Sequence, residues 1–312
     1  MPLTQALLAG DVRALARAIS MVEENRPAAV SLLQEVFPRT GSATVIGLTG
    51  SPGSGKSSLV DRLVAAFRSE GKRVGVVAVD PSSAFSGGAI LGDRVRMQDH
   101  AGDRDVFIRS MATRGYLGGL SRATNDAIDL MDAAGYDPIL VETVGVGQDE
   151  VDVVKTADVV AVVLVPGMGD DIQAIKAGIL EIADLFVINK ADRPGADRLE
   201  SELAYMLDLA SGSPRVKPEI LRTIAVRNEG IEGFCAGVRD FMARAGQQRR
   251  QERRRDRAES RFRAVLADRI VNRVVETVFP GDSIDRVVDE IAERRVDPYS
   301  AADRVLQRME VK

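Results

Sequence analysis

Short apolar runs rich in β-branched residues recur along the first two-thirds of the chain, at residues 44–49, 73–79, 106–109, 138–141, 158–165 and 184–188. A run that is apolar throughout, rather than alternating, predicts a strand covered on both faces, as parallel strands are. Between these runs apolar residues return at helical spacing over 58–67, 118–134 and 172–181. Strands alternating with helices predict an α/β fold: a doubly wound, mostly parallel sheet flanked by helices, with ligands at the carboxyl ends of its strands. Upstream, Val12, Leu15, Ala16, Ile19 and Val22 predict one helix. Pro27 suits the first turn of a second, running through Val30, Leu33 and Phe37.

The final third changes character. Residues 244–263 hold nine Arg against Glu252, Asp256 and Glu259, and Phe262, Val265, Leu266, Ile270, Val274 and Val278 follow at helical spacing. One or two long helices are predicted, whose mixed charge reads either as a solvated face or as a surface for an acidic partner or phosphate. Short helices over 284–295 and 298–309 close the chain. The pattern divides the molecule into an N-terminal helical segment, 1–41, an α/β domain, 42–243, and a C-terminal helical region, 244–312.

Between the first strand and the first α/β helix stands Gly50-Ser51-Pro52-Gly53-Ser54-Gly55-Lys56-Ser57, followed by Ser58, which fits the phosphate-cradle pattern G-x-x-x-x-G-K-[ST] at every fixed position. The glycines let backbone N–H groups converge on phosphate oxygens at a positive helix end. Lys56 is placed to reach the β- and γ-phosphates and the Ser57 hydroxyl to bind Mg²⁺. The loop alone does not separate GTP from ATP. That distinction falls to Asn189-Lys190-Ala191-Asp192, which leaves the strand at 184–188. A carboxylate at Asp192 accepts two hydrogen bonds from the guanine N1–H and exocyclic amine, whereas adenine lacks that donor pair and leaves the carboxylate unpaired. Asn189 is expected to contact the base edge and tie this loop to the cradle, and the Lys190 stem to cover the base.

Glu142-Thr143-Val144-Gly145 leaves the strand at 138–141 where P-loop proteins place an acid near Mg²⁺ and a glycine whose N–H senses the γ-phosphate. Glu142, one methylene longer than Asp, favours contact through a metal-bound water. Asp80 and Asp93 are further candidate metal carboxylates, with a strand-end cap or a surface charge as the alternative for each. No glutamine follows Gly145 directly, and Gln148 comes three residues later, so intrinsic hydrolysis is expected to be slow. The glycine- and serine-rich stretch between Pro81 and Gly102 is a candidate switch loop.

Composition narrows the partners. A net charge of −4 gives no general reason to expect nucleic acid or an anionic membrane surface. No stretch approaches bilayer-spanning length, and Met1-Pro2-Leu3-Thr4-Gln5 opens no leader pattern, so a cytoplasmic location is expected. Cys235 and His100 are the only residues of their types, which excludes a disulfide framework or a Cys/His metal cluster within one chain.

Taken in order, the cradle, Val79-Asp80-Pro81-Ser82-Ser83, Leu91-Gly92-Asp93, Glu142 through Gln148, the run from Pro166-Gly167-Met168-Gly169-Asp170 to Ile179, and Asn189 to Asp192 closely resemble the MeaB/ArgK family of P-loop GTPases, which includes the methylmalonic aciduria type A protein. The likeness covers roughly residues 10 to 240. The resemblance implies a P-loop NTPase fold and a homodimeric GTPase binding GTP/GDP and Mg²⁺. It further implies a chaperone that gates cofactor delivery to an adenosylcobalamin-dependent acyl-CoA mutase, chiefly methylmalonyl-CoA mutase, and protects or rescues it. By the same resemblance 80–97 is switch I, 142–155 switch II, and 166–178 a third switch facing the mutase. Gln173 and Lys176 are its partner-responsive residues, Lys176 supplying positive charge to the active site, although an exposed helix position is its other reading. The C-terminal helices correspond to a dimerisation arm, with Val265, Ile270, Val274 and Val278 at the interface. The family's base-contacting loop reads Ser-Ala. Here it reads Ile224-Ala225-Val226, so Ala225 alone carries over. Rival readings are a nickel or cobalt metallochaperone GTPase, which needs thiol or imidazole ligands, and a kinase of a periplasmic amino-acid-binding protein, which needs a general base not visible here. A regulatory GTPase using the same switches on another partner is a third.

Overall fold

The computed structural model describes residues 1–80, 100, 102–112, 122–143, 153, 156–167, 180–209, 217–278 and 283–310. The six apolar runs form β1 (Val45–Thr49), β2 (Val74–Asp80), β3 (Val106–Ala112), β4 (Ile139–Thr143), β5 (Val159–Leu164) and β6 (Leu185–Asn189). A seventh strand, β7 (Glu219–Thr223), was not read from the sequence. All seven lie in one sheet, ordered β3-β2-β4-β1-β5-β6-β7, with every neighbouring pair parallel. After β1 the chain moves towards β2 on one side, and after β4 it crosses to β5 on the other. The carboxyl end of β1 is therefore the topological switch point, where open α/β sheets bind ligands.

Both faces are covered, so the central strands are buried at every position and apolar except at their carboxyl ends, where Thr49, Glu142, Thr143 and Asn189 stand. One face carries α4 (Lys56–Ser69) and α7 (Ile231–Arg244), with Leu59, Leu63 and Phe234 packed on Ile46, Leu48 and Val187. The other carries α5 (Arg122–Ala133), α6 (Ala196–Leu209) and the N-terminal helices α1 (Leu3–Leu8), α2 (Val12–Glu23) and α3 (Pro27–Val36). Leu7, Leu15, Ile19 and Val36 share a single hydrophobic cluster with Val77, Tyr136 and Phe186. The helix read over 118–134 is described from Arg122, and most of the one read over 172–181 lies outside the described residues.

At the amino ends of the strands, carboxylates take up backbone donors that the ladder leaves open. Asp137 Oδ1 accepts from Thr44 N at 2.9 Å, Asp158 Oδ2 from Val45 N at 2.9 Å, and Asp184 Oδ2 from Val160 N at 3.0 Å. Each of these aspartates stands just before one strand and reaches to the neighbouring one, so the row holds the register opposite the ligand-binding end.

The chain forms two compact units, Met1–Arg253 and Arg254–Lys312. The N-terminal helices belong to the first. So does Arg253, within α8 (Gly246–Val278), whose guanidinium grips Asp184 through both oxygens at 2.6 and 2.8 Å and also donates to Asp158 O at 2.8 Å. In the second unit α9 (Ser283–Ala292) and α10 (Pro298–Glu310) are joined by Arg304 and Glu290 at 3.6 Å. On α8 the side chains of Phe262, Leu266, Ile270 and Val271 are exposed. Among the described residues, no helix is long and apolar enough to cross a membrane.

Candidate functional site

The cradle leaves the central strand at the switch point and requires glycine at two of its positions. Gly50 has φ +138°, and a Cβ placed there would lie 2.1 Å from the carbonyl oxygen of Val163 on β5. Gly55 has φ +88°, and its Cβ would lie 2.5 Å from Asn189 Nδ2. A side chain at either position would push the loop off the strands behind it. The turn delivers Lys56 as the first residue of α4, whose amino end faces the loop. The Lys56 side chain is buried, and its ammonium donates to Gly50 O at 2.6 Å and Ser51 O at 3.0 Å, with Ser54 Oγ at 3.4 Å. The cation is thereby placed inside the loop that surrounds it. Ser51 is half-buried; Pro52, Gly53 and Ser58 are exposed along the rim.

Beside the cradle, sheet register sets Glu142 of β4 opposite Leu48 of β1. The Ser57 hydroxyl donates to Glu142 Oε1 at 2.6 Å. These two oxygens, one on the cradle helix and one on the adjacent strand end, are hard donors in the arrangement a small divalent cation prefers. Behind them Thr143 Oγ1 lies 3.1 Å from Thr49 Oγ1, linking the ends of β4 and β1.

The base-reading loop is tied to the cradle by one buried side chain. Asn189 Nδ2 donates to Ser54 O at 2.9 Å, while its Oδ1 accepts from Thr223 Oγ1 at 3.1 Å and from Ala225 N at 3.2 Å. Three segments distant in sequence, the cradle, β6 and the exit of β7, meet at this amide. Lys190 takes a left-handed conformation, φ +55°, and its ammonium donates to Gly53 O at 2.7 Å, laying the stem across the space between the two loops. Asp192 stands at the outer edge, with Arg227 Nη2 3.2 Å from its Oδ2. Ala225 is buried beneath this rim and Val226 exposed on it.

The structure thus brings together Gly50 to Ser58, Glu142, Asn189, Lys190, Asp192 and Ala225 at one end of the sheet. Asp80 closes β2, paired in register with Ala112. Asp93, Gly145, Gln148, Gln173 and Lys176 lie outside the described residues, as do most of 80–97, 142–155 and 166–178. The sequence reading missed Thr223 and Arg227, both supplied by β7 and its exit. The only available signal was their closeness to Ala225.

A glycine cradle on the central strand of a parallel sheet, followed on the next strand but one by an Asn-Lys-x-Asp loop tied to it, defines a P-loop nucleotide-binding protein of the GTPase class. The family model described as methylmalonyl Co-A mutase-associated GTPase MeaB matches residues 15–278, and the chain belongs to this family. A Pyrococcus abyssi relative is 48% identical over 313 residues, covering 98% of this chain and 96% of its own. The GTPase ArgK of Escherichia coli is 36% identical over 288 residues, 89% of this chain and 85% of its own. Among solved structures, one described as an LAO/AO transport system kinase superposes with a TM-score of 0.70 at 25% identity, covering 99% of this chain and 96% of that one.

Proposed function

We propose that this MeaB-family GTPase couples slow hydrolysis of GTP to a conformational step in an adenosylcobalamin-dependent acyl-CoA mutase of the methylmalonyl-CoA mutase kind, gating the loading of its cofactor and protecting or rescuing the enzyme. The observation that carries the nucleotide half is the Asn189 amide, which joins the base-reading loop to the phosphate cradle through Ser54. The partner half is supported by the family, described as mutase-associated GTPases.

In this reading the cradle N–H groups and Lys56 hold the phosphates, Asp192 reads guanine, and Asn189 keeps the two at a fixed separation. The Ser57 and Glu142 oxygens fit Mg²⁺, which when bound neutralises charge on the β- and γ-phosphate oxygens. The hydroxyl that now donates to Glu142 would turn its lone pairs to the ion, leaving the carboxylate to accept from ion-bound water. Gly145 is assigned to sensing the γ-phosphate and Lys176 to completing the positive charge when the partner is docked. Asp80 and Asp93 remain candidates for the outer shell. The exposed Phe262, Leu266, Ile270 and Val271 on α8 favour a homodimer joined through this arm.

The test is equilibrium binding of GDP and ADP with Mg²⁺, together with sedimentation of the full chain mixed with a purified mutase. Binding of GDP alone, and a complex whose stability changes with the nucleotide, are expected. ADP bound as tightly as GDP contradicts the base assignment, and no complex in any nucleotide state contradicts the partner.

A further inference from the structure

Base recognition by a single carboxylate demands that the carboxylate be correctly turned before the base arrives. In the neighbouring loop the side chain of Ile224 holds no polar atom. Among the described residues the polar group on Asp192 is instead Arg227, with Nη2 3.2 Å from Oδ2.

The placement of Arg227 is rigid at the backbone although its side chain is more than half exposed. Ile224 and Glu229 exchange both hydrogen bonds of an antiparallel bridge, at 3.0 and 3.3 Å. Within that closed hairpin Arg227 N donates to Ile224 O at 2.9 Å, and Asn228, in the left-handed region at φ +59°, turns its N–H to Ala225 O at 3.1 Å. Ala225 N is in turn held by Asn189 Oδ1, so the hairpin is continuous with the amide that fixes the cradle. On the Asp192 side, Ala191 N donates to Thr223 O at 3.1 Å and Arg193 N to Lys190 O at 3.0 Å. Donor and acceptor therefore stand on two pinned loops. The contact engages one oxygen through one nitrogen, and a carboxylate offers about four acceptor positions. Oδ1 and the remaining positions on Oδ2 stay available to a base.

We propose that Arg227 is a positioning residue for guanine recognition: its guanidinium holds the Asp192 carboxylate oriented for the N1–H and exocyclic amine. The inference rests on the assignment of Asp192 as base reader.

Affinity for GDP and for IDP, which lacks the exocyclic amine, separates the two. Phosphate and ribose contacts cancel in the GDP/IDP ratio. Arg227→Met is expected to lower that ratio about two- to fivefold, the scale of an exposed ion pair. Arg227→Lys, which keeps the charge, should restore at least half of the loss. Raising salt should lower the ratio in the parent protein and leave it flat in Arg227→Met, because screening acts on the pair. A GDP/IDP ratio unchanged in Arg227→Met, while Asp192→Asn collapses it, overturns the role of Arg227 alone. A ratio unchanged in Asp192→Asn overturns the base reader itself.

Discussion

Replacing Asn189 by Ala removes three hydrogen bonds from one buried point, those to Ser54 O, Thr223 Oγ1 and Ala225 N. Each net bond is worth about 1 kcal/mol, and a buried group left without a partner costs about 1–3 kcal/mol. Ser54, Ala225 and Thr223 are all buried, so the groups stranded by the substitution have little access to water. The expected loss is about 3–5 kcal/mol, equivalent to a fall in Tm on the order of 10 °C for a unit of this size. Asn189→Asp separates the two halves of the hub. The acceptor facing Thr223 and Ala225 is kept, while the donor to Ser54 is replaced by an oxygen that repels the carbonyl. That variant should keep the loop after β7 and lose the register of the cradle. Thermal unfolding of the three proteins, each with and without GDP and Mg²⁺, is the assay. Both variants should also lose part of the Tm increase that nucleotide gives the parent. An Ala variant melting within about 2 °C of the parent, with the nucleotide increment intact, refutes the hub, since that shift is under roughly 1 kcal/mol.

Gly50→Ala drives a Cβ towards Val163 O and should abolish GDP binding, measured by fluorescent-nucleotide titration, while far-ultraviolet circular dichroism retains the α/β signature. The Arg68 guanidinium, 2.8 Å from Asp103, holds that carboxyl below its usual range. A carboxyl whose folded pKa lies below its unfolded value contributes stability above the unfolded pKa of about 3.9 and loses it as pH falls through the folded one. Asp103→Asn should therefore lower the urea midpoint at pH 7 and converge with the parent at pH values below that range. Burial pushes the Cys235 thiol up to about 11, with Glu70 adding to the shift. An aromatic disulfide reagent at pH 8 should label the native protein slowly and the urea-unfolded chain at once, with no other thiol to confuse the count.

The central strands β1, β4, β5 and β6 were legible because every residue in them is buried, and β2 and β3 because an apolar stretch opens each. β7, one of the two edge strands, escaped because charges interrupt it: Glu219 and Arg222 flank Ile220 and Leu221, which are too few to make a run. The charges that hid it also blunt the edge against pairing with another chain. The cradle and the Asn-Lys-x-Asp loop were readable because their residue types answer to a ligand's chemistry at fixed spacing. The ties between them were not. That Asn189 faces Ser54 depends on β6 and β1 lying two strands apart, and that Arg227 faces Asp192 depends on a strand the pattern did not show. The reach of the aspartates before β4, β5 and β6 to the next strand's backbone follows only from the sheet order.

In the proposed function a mutase reads and drives the nucleotide state of this site. Phosphate release from GTP, followed with the full chain alone and with an adenosylcobalamin-dependent acyl-CoA mutase added, tests it most directly. A slow rate alone, a clear rise with the mutase, no comparable release from ATP, and loss of both rates in Lys56→Ala are expected. Equal rates with and without the mutase, from a protein that does turn over GTP, would contradict it.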